Sequence, residues 1–203
     1  MRQKYQGIFK RLNYIYRHPV SCWDSIAQES FSPGWYFKKL VLPMIAAIAV
    51  VNFLGYLFFA LAIHDFSIAY ALVKAIAVSC ESFFSFYISF LIIVELRSKL
   101  KVEIEEQKLF KIMLYSITPL WSAILLSGFL ANYATLSSFL KFLGIYGVIL
   151  FAAGIEQMHA VVANKRGLFI FVCFSIVLVI YLLLSWSFSF ALKAIQYSDM
   201  LSQ

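Results

Sequence analysis

Charge is scarce in this sequence: Asp, Glu, Lys and Arg make up 13% of 203 residues, and only 10 of them are acidic. Soluble domains carry roughly 25% charged and about 50% apolar residues. Here 63% of the residues are hydrophobic and the mean hydropathy is +0.84, which excludes an ordinary water-soluble fold. Cysteine is also rare. Cys22, Cys80 and Cys173 are odd in number and far apart, so no disulfide framework or metal-ligand spacing follows from them. Cys80 and Cys173 fall inside apolar runs, where cysteine acts as a small packing residue.

Catalytic signatures are lacking too. The sequence has no His-Glu-x-x-His, no Gly-x-Ser-x-Gly and no phosphate-binding glycine loop. Glu105-Glu106 does not make a membrane-embedded glutamate protease, since no arginine follows in register and no histidines complete the set. The expectation is a protein that is not an enzyme, with no cofactor and no metal. The first 36 residues lack the short apolar core of a signal peptide, so the first span is expected to drive insertion.

What the sequence has is long apolar runs. A spanning helix needs about 20 mostly apolar residues at ~1.5 Å rise through a hydrocarbon core ~30 Å thick. Five windows qualify: residues 40–63, 72–94, 109–131, 139–162 and 168–192. The runs are continuous and lack the alternation of a barrel. The expected fold is therefore an all-α integral membrane protein of five transmembrane helices (residues 37–203). A short amphipathic segment, residues 1–36, precedes them.

Basic residues decide the expected orientation. Of 17 Lys and Arg, 14 lie in the amino-terminal segment, the link between the second and third spans and the start of the third, and the link between the fourth and fifth. By the positive-inside rule, that side is the cytoplasm and the carboxyl terminus lies opposite. The net charge of +7 flanks apolar runs, which points to anionic lipid and away from nucleic acid.

In the amino-terminal segment, Ile8, Leu12, Ile15 and Tyr16 recur at helical spacing between Lys4, Lys10, Arg11 and Arg17. This predicts an interfacial helix on the cytoplasmic leaflet, ended by Pro19. Trp23, Trp35 and Tyr36 are expected as headgroup-level anchors. Beyond the second span, Glu95 and Lys99 are spaced to continue that helix into water.

Ionisable groups inside a bilayer are costly and each requires a reason. Glu81 sits near the middle of the second span, with Lys74 seven residues away on the same face and Ser85 and Ser89 extending the polar line. Such a carboxyl can serve as a proton or cation site, or it can be a paired group holding a neighbouring helix. Glu156 and His159 form a second pair near the cytoplasmic end of the fourth span. No second Glu-x-x-His exists, and His18 and His64 fall on opposite sides, so a metal site is not expected. Gly147 and Gly154 offer a small-residue strip for close helix approach. In the third span, Pro119 removes a backbone bond and predicts a kink, with Thr118 or Ser116 able to satisfy the freed carbonyl.

Several of these stretches resemble the Yip family, the Rab/Ypt-interacting membrane proteins. They are His18-Pro19-Val20-Ser21-Cys22-Trp23-Asp24-Ser25-Ile26, Leu42-Pro43, Tyr115-Ser116-Ile117-Thr118-Pro119, and Ile145-Tyr146-Gly147 through Gly154-Ile155. The resemblance implies a small non-enzymatic five-span bundle, here a bacterial inner-membrane member. In eukaryotes such proteins act in vesicle traffic and bind prenylated GTPases. The long cytosolic amino-terminal region of many eukaryotic members is missing from this sequence, which puts GTPase binding in doubt. The leading expectation is a scaffold or adaptor, with a homodimer as one form, that recruits anionic lipid or a protein partner through residues 1–39 and 95–108. The alternative is a small transporter or channel built on Glu81.

Overall fold

The computed structural model describes residues 8–62, 68–130 and 134–201. Lys4 and His64 lie outside the described residues. Every regular element among the described residues is helical.

Three short helices open the chain: α1 (Ile8–Arg17), α2 (Cys22–Ala27) and α3 (Pro33–Tyr36). Helix α3 begins in the expected way, with Pro33 in its first turn and the Ser32 hydroxyl accepting from the Trp35 amide. It runs through a π turn, Phe37–Val41, into α4 (Leu42–Ala62). The wider turn lies where the ring of Pro43 must clear the carbonyl of Lys39, four residues back.

Helices α5 (Ile68–Lys99) and α6 (Glu106–Phe129) follow. Helix α5 continues past the apolar run, as the Glu95–Lys99 spacing predicted. It ends at Lys101, whose φ of 53° lets the Val102 amide reach back to the Arg97 carbonyl at 2.9 Å. The fourth span is broken. Helix α7 (Ala134–Lys141) passes through a 3₁₀ turn, Phe142–Ile145, into α8 (Tyr146–Gln157), and α9 (Ala163–Leu201) completes the chain.

Five helices are long and apolar enough to cross a membrane: Pro33–Phe58, Ile68–Lys99, Glu106–Phe129, Phe139–Gln157 and Ala163–Lys193. The chain is thus an integral membrane protein. Within these spans, burial grades from centre to rim. The apolar window of α6 is 67% buried and that of α9 only 11%, so α6 is the axis of the bundle and α9 its most lipid-facing member. Helix α6 packs on α4, α5 and the whole α7–α8 unit, while α5 pairs with α4 and α9.

Small residues and side-chain bonds set these crossings, because apolar helices gain little from burying one another in lipid. Gly128 of α6 lies against buried Asn52 of α4, 3.0 Å from where a Cβ would stand. The Trp121 indole N–H donates to the Ser82 carbonyl of α5 at 3.2 Å. Gly147 brings α8 so close to α6 that an added Cβ would sit 2.3 Å from the Ser116 carbonyl oxygen.

The Pro119 break is repaired locally. Its missing N–H frees the carbonyl of Tyr115, and the Thr118 hydroxyl donates to that oxygen at 2.7 Å. Of the two candidates named from sequence, Thr118 does this. The Ser116 hydroxyl finds no hydrogen-bond partner among the described residues. Thr118→Val keeps the shape and strips the donor from a fully buried site. It should lower stability by about 1–3 kcal/mol in thermal unfolding from mild detergent. An unchanged midpoint would mean that the kink relaxes without this bond.

Candidate functional site

Two regions carry polar groups that the bilayer would not tolerate without a reason. The first is where the amino-terminal helices meet the bundle. Helix α1 is strongly amphipathic, as its spacing predicted, but its apolar face meets protein: Leu12 and Ile15 are 6% and 1% exposed. The Tyr16 hydroxyl lies 2.8 Å from that of Ser122 on α6, and the Tyr146 hydroxyl of α8 donates to the Tyr16 carbonyl at 3.0 Å. Burial raises the Tyr16 phenol above its ordinary range.

Two of the three expected headgroup anchors are likewise core residues. Trp23 is fully buried on α2, its ring edge-on to Tyr115 and pressed against Gly154 of α8. The glycine is what makes room, since a Cβ there would stand 2.8 Å from the indole. Tyr36 is 1% exposed. Trp35 is half-buried against the core, stacked on Phe31 at 4.2 Å. A buried aromatic and an interfacial one look alike in sequence; only the partner distinguishes them.

At the centre of this seat is Glu29, which follows α2. Its carboxylate pairs with Arg11 of α1 and accepts from the hydroxyls of Tyr36 at 2.7 Å and Tyr115 at 3.1 Å. The Lys111 ammonium of α6 donates to the Glu29 backbone carbonyl. The Arg11 guanidinium stands 4.9 Å over the Tyr115 ring. One acid therefore joins α1, α3 and α6. Cys22, on α2, is fully buried, and burial pushes its thiol up to about 11. At neutral pH that thiol is protonated as well as covered.

The second region is the intramembrane set expected on α5. Glu81 lies near the hydroxyls of Tyr181 and Ser185 on α9, with Lys74 and Lys141 close enough to act on it electrostatically. Lys74 lies 5.7 Å from the Tyr56 ring of α4. Ser85 does not join them. It is buried and donates to its own helix, to the Ser82 carbonyl at 3.2 Å. Ser89 is fully buried with no partner among the described residues.

Glu156 and His159 stand apart from Glu81, at the opposite end of the bundle. Glu156 is exposed and pairs with Arg166 at 2.8 Å. His159 is exposed and holds φ of 46°, closing α8 so that the Ala160 amide meets the Ile155 carbonyl at 3.0 Å. It is a helix-terminating residue, a role that His tolerates better than most. No group of three or more His, Cys, Asp or Glu among the described residues is placed to hold a metal.

Glu29, Arg11 and Lys111 were not singled out from sequence. Nor were Tyr181 and Ser185, the α9 partners of Glu81. Glu29 lies between two short helices with no periodicity to mark it, and its partner Tyr115 is 86 residues away.

Beside Glu81 a cavity of about 560 Å³ opens between α5, α6, the 3₁₀ turn with α8, and α9. Its walls are almost wholly apolar, with Lys141 on one side and Ser116 among the lining residues. The chain matches no protein-family model, no curated protein and no solved structure.

Proposed function

We propose that this protein is a non-catalytic membrane scaffold or adaptor of Yip-like type, whose basic end faces the cytoplasm. The bacterial inner membrane is the proposed location, on the strength of the resemblance and the basic-residue asymmetry. The observation that carries the reading is the seating of the amino-terminal segment. Trp23 and Glu29 fix α1–α3 to the bundle, while Lys10, Arg17, Lys38 and Lys39 remain exposed. A fixed segment presents its charges as a shaped surface instead of a loose tail. Such a surface recruits anionic lipid or an acidic partner with less ordering cost.

The transporter reading of Glu81 has less support. The cavity beside it is walled by apolar side chains, and an ion path needs a continuous polar lining.

The test is crosslinked affinity purification from native membranes. Intact protein is compared with the quadruple variant Lys10→Glu, Arg17→Glu, Lys38→Glu, Lys39→Glu, which leaves the buried seat untouched. A stoichiometric partner should be recovered with the former and lost with the latter. Recovery of the same protein from both, or of lipid alone in equal amount from both, would overturn the recruiting role of this surface.

A further inference from the structure

The cavity beside α9 has the size, the wall chemistry and the end group of a site for one lipid. Its volume of about 560 Å³ falls within the ~300–1,000 Å³ typical of ligand sites. On α9 it extends from Cys173 to Leu182, nine residues on, or about 14 Å along the helix at 1.5 Å per residue. That is close to half of a hydrocarbon core ~30 Å thick, the depth of one leaflet. Helices α8 and α9 touch sparsely, so the space communicates with the lipid between them.

One polar feature decides the class of occupant. Lys141 lies at the end of the space away from the basic end of the bundle. Near it are Lys74 and Glu81, each within electrostatic reach of Lys141. Tyr181 and Ser185 face Glu81 from α9 and carry no charge. Two ammonium groups against one carboxylate leave a positive charge unbalanced where a headgroup would sit.

We propose that this cavity holds one acyl chain of an anionic phospholipid from the leaflet opposite the basic end. Lys141 meets the phosphate. The chain fills the gap between α8 and α9 and completes the packing of α9, whose own contacts with α8 are few. This site is separate from the basic cap and acts on the other leaflet.

Native mass spectrometry of delipidated protein, titrated with phosphatidylglycerol or phosphatidylcholine, tests it. Wild type should retain one phosphatidylglycerol per chain, bound at least tenfold more tightly than phosphatidylcholine. Lys141→Glu, at an exposed position, should bring the two lipids to equal, weak binding. Leu178→Trp, which fills the cavity from a partly lipid-facing position, should abolish the retained lipid of either kind. Equal binding of both lipids by wild type would overturn the proposal. So would a retained lipid indifferent to both variants, or palmitate bound as tightly as phosphatidylglycerol.

Discussion

Gly147→Val should prevent the protein from reaching its native packing. Detergent-solubilised material is expected as aggregate or as a species with no cooperative unfolding transition. At this crossing α8 lies against the backbone of α6. The first atom of any side chain would come within 2.3 Å of the Ser116 carbonyl oxygen. A flexible side chain could turn away, but a carbonyl in the middle of the axial helix cannot. Ordinary overpacking costs about 1–3 kcal/mol because neighbours yield. Here the relief has to come from separating two helices. Gly144, three residues earlier, is the control, since the atom nearest its absent Cβ is the Leu120 Cδ1 tip at 2.7 Å. Gly144→Ala should be tolerated with a smaller loss of stability. If size-exclusion and thermal unfolding place Gly147→Val beside wild type, the close approach is not what holds α8 to α6.

Glu29→Leu should cost about 3–5 kcal/mol, the range seen when one member of a buried ion pair is removed. Glu29 and Arg11 expose 9% and 16% of their side chains, so solvent screens the pair little. The change removes the acid paired with Arg11 and the acceptor used by Tyr36 and Tyr115, while the backbone carbonyl that Lys111 uses remains. Glu29→Gln keeps an acceptor for both phenols and should do less harm.

Cys22 reports the result directly. It is covered while α1–α3 are seated and titrates near 11. A thiol whose folded value is raised stabilises the fold while neutral, and loses that contribution as pH climbs through the folded value. At pH 8 the seated thiol should therefore resist maleimide. A loss of 3 kcal/mol corresponds to roughly 100-fold more unseated protein at 1.4 kcal/mol per decade. Labelling of Cys22 should accelerate by about that factor in a Cys80→Ala, Cys173→Ala background. An unchanged rate would show that Glu29 does not hold the cap.

How far the sequence could be read depended on the range of each interaction. The five spans were legible because lipid imposes its demand on every residue of a run. The repair at Pro119 was legible because Thr118, Tyr115 and the proline lie within one turn. Gly147 and Gly154 were legible as a strip, though not that one meets a carbonyl and the other an indole. The break in the fourth span at 142–145 was hidden, since a 3₁₀ turn leaves the hydropathy of the run unaltered. Trp23 and Tyr36 were misplaced at the interface because their amphipathic rings suit either setting. Glu81 could be flagged from its surroundings in α5, but its partners Tyr181 and Ser185 lie about 100 residues on, in a helix with no polar periodicity of its own.

The seat of the first helices also imposes an order on biosynthesis. The Tyr146 hydroxyl meets the Tyr16 carbonyl across 130 residues of chain. At ~5–20 residues per second, the ribosome needs roughly ten seconds to bridge that interval. The early segment is thus fully seated only once α8 has been inserted. Until then the face of the Trp23 indole that meets Gly154 has nothing to cover it. A chain stopped before its fourth span would display apolar side chains that the finished protein hides.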